Sequence, residues 1–113
     1  MELKATSTTL ILLFIAALLE TGGDALIRTG LRAPTLFLRT LFFAAGAVVL
    51  FTYGFVVNVP SWDFGRLLGI YLVFFFVLAQ MISWIVFHQQ PSRGIFLGGA
   101  FIVAGGVIIS FNP

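Results

Sequence analysis

The chain has 113 residues, of which 60% are hydrophobic and only 9% charged, with six Lys or Arg, four Asp or Glu and no Cys. An ordinary soluble domain is about a quarter charged, so this composition excludes a water-soluble monomer and a disordered tail, and the missing thiols exclude disulfide frameworks and Cys-ligated metals. A net charge of +2 carried by so few groups is no nucleic-acid footprint, and what remains is an integral membrane protein.

The first predicted element begins with the unbroken apolar run 10–19 and continues past Glu20 and Asp24, giving a span of about 9–31. Because no A-x-A site follows the run, it reads as a retained helix rather than a cleaved leader. Three charge-free stretches follow, 40–57, 67–87 and 94–111, of 18, 21 and 18 residues. A hydrocarbon core about 30 Å thick needs about 20 helical residues, and the non-alternating run Tyr71–Leu78 does not suit a membrane β-strand. The chain is therefore expected to be an all-α membrane protein, one domain over residues 1–113. Its four transmembrane helices, at about 9–31, 36–58, 66–87 and 94–111, would form an antiparallel bundle with short loops. Ala33-Pro34, Pro60 and the stretch His88–Arg93 punctuate it. Little mass is left for an extramembrane enzymatic domain, and no nucleotide, metal or serine-hydrolase motif occurs, so neither an enzyme nor a cofactor is expected.

Arg28, Arg32, Arg39 and Arg93 fall at one end of the spans, Lys4 and Arg66 at the other. By the positive-inside rule this balance of four against two, or three against two with Arg28 inside the membrane, favours both termini outside the cytoplasm of a bacterial inner membrane. It is even enough to allow insertion in both orientations.

Helix one carries the chemistry that is out of place. Glu20, Asp24 and Arg28 recur every four residues, so they form one stripe, with successive groups about 6 Å apart along the axis. Each ionisable group at membrane depth costs about 2.5–3.5 kcal/mol on insertion scales. Asp24 and Arg28 can offset that cost as an i,i+4 ion pair, or face a ligand. Glu20 lies two turns from Arg28, and no Lys or Arg interrupts the other apolar runs. A carboxylate there is expensive and a carboxylic acid is not, so Glu20 suits the exchange of a proton for a cation. Gly22 and Gly23 between the acids either admit a close neighbour or loosen the helix.

In helix three, Tyr71, Phe74 and Phe75 at i, i+3 and i+4 could turn π-faces toward a cation, Tyr71 first among them. Trp62 and Trp84 read as interface anchors. In helix four, Gly94 and Gly98 form a GxxxG, Ala100 and Ala104 a second small pair, and Gly98/Gly105 and Gly99/Gly106 repeat at seven residues. Such small residues let helices approach closely in lipid, which makes Gly94, Gly98, Ala104 and Gly105 candidates for a homodimer seam. His88 stands alone in a loop, and no metal site is expected.

The mid-span Glu20, followed by Gly23, Leu26 and basic Arg28, resembles the first helix of the small multidrug resistance family, roughly E-x-x-G-x-x-L-x-K. Ser83-Trp84-Ile85-Val86-Phe87-His88-Gln89 looks like that family's S-W-x-x-F-x-Q, and Gly98 with Gly105 resembles its helix-four glycine seam. The related YnfA-type membrane proteins look closer still in the middle, with Gly46 to Pro60, Gly65-Arg66, Tyr71, Pro91, Gly98 and Gly105 at matching spacings. The resemblance implies a proton-coupled exporter of small cations working as a dimer, with Glu20 as the shared proton and substrate site. Two departures touch the site. The multidrug pattern's Y-x-x-W appears as Leu68-x-x-Tyr71, and Asp24 belongs to neither pattern. The alternative is a lipid or aminosugar-lipid flippase, or an accessory subunit, of the same superfamily, similar in Asn58-Val59-Pro60 and in the Pro91-to-Gly98 spacing. There Asp24 and Arg28 would meet a zwitterionic head group.

Overall fold

A computed structural model describes residues 2–111, with side chains described from Thr6 onward, so Lys4 of the charge balance lies outside the described side chains. Among the described residues the chain forms four α-helices: α1 (Glu2–Leu31), α2 (Leu36–Asn58), α3 (Phe64–Ile85) and α4 (Arg93–Phe111). All four are long and apolar enough to cross a membrane. Helices are what such segments must form in lipid, because every backbone N–H and C=O has to be satisfied within its own segment. Helix α1 starts well before the expected residue 9, its first turns being more polar than the rest.

The connections are short. Pro34 interrupts the chain between α1 and α2, and the Thr35 hydroxyl caps α2 by accepting from the Leu38 N–H at 3.2 Å. After α3 the chain reverses at His88, which adopts φ 57°, and the Gln89 N–H then donates to the Ser83 carbonyl at 3.0 Å. Histidine is among the residues that enter this left-handed region more readily than most.

In space the helices form a row rather than a closed ring. Helix α1 packs on α2 and on α3, and α3 packs on α4, while among the described residues α2 and α3 meet only through side chains such as Tyr53 and Tyr71. The layer is thin, 50 × 34 × 19 Å. Glycines set the closest approaches. A Cβ on Gly23 would lie 2.7 Å from Leu50, one on Gly30 would lie 2.8 Å from Phe43, and one on Gly46 would lie 2.7 Å from Ile27. The residue numbers run in opposite senses, so α1 and α2 are antiparallel. Gly99 against Phe76 and Gly106 against Val73 define the antiparallel α3–α4 pair in the same way. The buried core lies where three helices meet, around Leu13, Ala16 and Ala17 of α1, Val57 of α2 and Leu67, Ile70 and Tyr71 of α3.

Candidate functional site

Glu20 is half-buried near the middle of α1, on the face that carries Leu13, Ala16 and Ala17. The two alanines are fully buried and short, which brings the α3 backbone close enough for a side chain to bridge the helices. Tyr71 makes that bridge. It is 4% exposed, and its hydroxyl donates to Glu20 Oε1 at 2.6 Å. A hydroxyl donating to a carboxylate makes one of the stronger hydrogen bonds in proteins, and here it fixes the carboxyl against α3. Tyr53 of α2 adds a third helix, its ring centroid 5.8 Å from that of Tyr71, and the Phe75 ring lies 6.2 Å from Tyr71 on the other side. The carboxyl of Glu20 thus adjoins a run of three aromatic rings. Rings of this kind hold organic cations through their negative faces, while a carboxylate supplies the charge.

The remaining predicted residues divide between this centre and its flanks. Phe75 borders both Tyr71 and a neighbouring cleft, whereas Phe74 packs against the hydrophobic core. The cleft, about 250 Å³ between α1 and α3, is lined by Asp24 and Arg28 together with Thr21, Ser83, Phe87 and Gln89. Asp24 and Arg28 are both exposed, and among the described residues no ion pair joins them. Of the two alternatives for Asp24 and Arg28, the i,i+4 pair gives way to a long-range contact: the Arg28 guanidinium lies over the Phe87 ring, 5.3 Å from its centroid. A guanidinium stacks well on an aromatic face, and Phe87 enters from the turn that follows α3.

The small residues of α4 do not share one face. A Cβ on Gly98 or Gly105 would meet nothing within 4 Å, and Gly94 would meet only its near neighbour Ser92. Gly99 and Gly106 are instead filled by α3. Ala104 belongs to a different flank, about 120° around the helix from Gly98 at about 100° per residue. It lines a groove of about 940 Å³ between α3 and α4 with Phe76, Gln80, Met81 and Trp84. The expected strip of four is therefore Gly94, Gly98 and Gly105 without Ala104. Between the acids of α1, Gly23 is the position that admits a neighbour, while Gly22 is open.

At the opposite end of the row, the Arg66 guanidinium covers the Trp62 ring at 4.7 Å and Nη2 donates to the Ser110 carbonyl at 3.4 Å, tying the start of α3 to the end of α4. Trp84 lines the α3–α4 groove. Sequence reading missed Tyr53. The available signal was that it and Tyr71 are the only two tyrosines of the chain, both within apolar spans. No group of three or more metal-ligating side chains occurs among the described residues.

A model of the family described as "Uncharacterised BCR, YnfA/UPF0060 family" matches residues 6–113. Curated relatives include a UPF0060 membrane protein of Nocardia farcinica, 36% identical over 106 residues and 92% of each chain. Another is the UPF0060 membrane protein YfjF of Bacillus subtilis, 34% identical over 105 residues, which cover 91% of this chain and 94% of the relative. A third, from Saccharopolyspora erythraea, is 31% identical over 104 residues, with 91% and 92% covered. No solved structure matches the chain.

Proposed function

The chain belongs to the YnfA/UPF0060 family of membrane proteins, and from that premise we propose that it is a proton-coupled transporter exporting small cationic or drug-like compounds by exchange at Glu20. The observation that carries this reading is the mid-membrane Glu20 carboxyl, held by the Tyr71 hydroxyl at 2.6 Å and bordered by aromatic rings from two neighbouring helices. A proton and an organic cation compete for that carboxyl. The cation is held between the carboxylate and the π-faces of Tyr53, Tyr71 and Phe75, and a proton arriving from the other side displaces it. Tyr71 acts as a positioning residue, because its hydroxyl sets the direction in which the carboxylate presents its free oxygen.

A row of four helices does not enclose a path, so the working unit in this reading is a homodimer whose second copy closes the site. The open strip of Gly94, Gly98 and Gly105 supplies a close-packing face for it. Rocking of α1–α3 against that seam alternates access to the two Glu20 carboxyls. The proposed setting is a bacterial inner membrane with both termini outside the cytoplasm. Arg28, Arg32, Arg39 and Arg93 then gather at the cytoplasmic end.

The test is solid-supported-membrane electrophysiology on reconstituted protein exposed to a panel of organic cations. Wild type is expected to give substrate-evoked currents, and Glu20→Gln none. Currents that survive the substitution sink the exchange mechanism. Tyr71→Phe removes one hydrogen bond to a charged group, worth about 1.5–3 kcal/mol, so apparent cation affinity is expected to fall about 10- to 100-fold with exchange retained.

A further inference from the structure

The cleft beside Glu20 is not used by that exchange. It lies between α1 and α3, has a volume of about 250 Å³ and is lined by both Asp24 and Arg28 but not by Glu20. We propose that it is a second ligand site, for a small zwitterion whose ammonium faces Asp24 and whose carboxylate or phosphate faces Arg28.

Three features support the assignment. First, two opposite charges on successive turns of an apolar helix would ordinarily neutralise each other. Here both side chains are exposed on the cleft and no ion pair joins them, while Arg28 is held back over Phe87 at 5.3 Å. Each ionisable group in a span is costly, and a ligand carrying both charges would neutralise the two together. Second, Ser83 of α3 and Gln89 of the following loop put polar groups among the otherwise apolar lining opposite α1, Phe75, Ala79, Ile82 and Phe87. The Ser83 hydroxyl donates to Gln89 Oε1 at 3.1 Å, so the Gln89 amide N–H groups are the ones left to donate to an anionic end. Third, the size is right for a short solute. The cleft of about 250 Å³ admits several non-hydrogen atoms, and four residues of helix put the Asp24 and Arg28 backbone positions about 6 Å apart along the axis. A simple cation would be repelled by Arg28 and a simple anion by Asp24, so the pair selects for both charges in one molecule.

The site stands apart from the exchange at Glu20, and the test separates the two. Calorimetric titration of the purified protein uses O-phosphoethanolamine as the zwitterion, with ethanolamine and inorganic phosphate as its halves. The zwitterion is expected to bind at least about tenfold tighter than either half, and Asp24→Asn and Arg28→Gln are each expected to weaken it at least about tenfold. Glu20→Gln is expected to leave binding unchanged. Halves that bind as tightly as the whole overturn the site, and so does binding lost in Glu20→Gln but kept in Asp24→Asn.

A measurement on the wild type covers the case of a variant that does not fold. O-phosphoethanolamine is expected to protect Arg28, but not the exposed Arg32 outside the cleft, from phenylglyoxal, read by peptide mass spectrometry. Equal labelling of Arg28 with and without the zwitterion refutes the proposal. Repeating the titration in nanodiscs of phosphatidylethanolamine and of phosphatidylglycerol identifies the source. Competition by phosphatidylethanolamine alone assigns the site to a lipid head group, and equal binding in both assigns it to a free solute.

Discussion

The α1–α2 seam and the outer strip of α4 carry the same small-residue spacing and have opposite surroundings. Gly23 and Gly30 are seven residues apart and are filled by Leu50 and Phe43, while Gly46 answers from α2 against Ile27. Gly98 and Gly105 are also seven apart and meet nothing. Between them stands Gly99 with Gly106, the same interval shifted by one residue and filled by Phe76 and Val73. A seven-residue glycine interval says that a face is smooth. Whether the face is already occupied depends on side chains elsewhere in the chain.

Substitution separates the occupied seams from the open one. The largest effect is expected for Gly46→Leu, where an added Cβ lies 2.7 Å from Ile27 and 3.2 Å from the Gly23 carbonyl oxygen, which is backbone and cannot turn away. Overpacking of this kind costs about 1–3 kcal/mol, with this site at the upper end, read as a lowered midpoint in thermal unfolding of the detergent-solubilised protein. An unchanged midpoint would break the distinction between the two regions. Gly106→Leu is expected to cost a comparable amount in the same assay, because the obstructing Val73 is β-branched and has one strongly preferred rotamer on a helix.

Gly98→Leu/Gly105→Leu is expected to leave monomer stability within about 0.5 kcal/mol of wild type, yet to abolish cysteine crosslinking between α4 helices of the proposed dimer. Crosslinking that persists would show that the open strip is lipid-facing. The smallest effect belongs to Gly22→Ala. It adds a methyl group into open space on a helix, and a gain of up to about 1 kcal/mol is expected from helix propensity, seen as a slightly raised midpoint.

The four helices were legible in the sequence because an apolar run has to be helical in lipid, and its length is set by the bilayer. Glu20 was legible for a related reason, since a charge at that depth is costly and so stands out. Its partner Tyr71 could be ranked first of its aromatic set by its polar tip but not joined to Glu20, because nothing local fixes which face of α3 turns toward α1. Tyr53 was illegible, being a lone polar ring in an apolar helix whose orientation depends on the α1–α2 register. The separation of Asp24 from Arg28 was illegible too. The competing partner, Phe87, is remote in sequence, and helix periodicity sees only neighbours on the same helix. Gly23 and Gly22 were indistinguishable until Leu50 picked out the former.

The row α2–α1–α3–α4 has a consequence for biosynthesis. Chains emerge from the ribosome N-terminal end first, and each new helix here finds its packing partner already made. The α1–α2 hairpin closes on itself, α3 then reaches past α2 to the free flank of α1, and α4 folds back onto α3. Only the α1–α3 contact skips a helix, so only that step needs a long loop closure. The same step joins Tyr71 to Glu20, and the carboxyl therefore remains without its tyrosine until the third helix has been inserted.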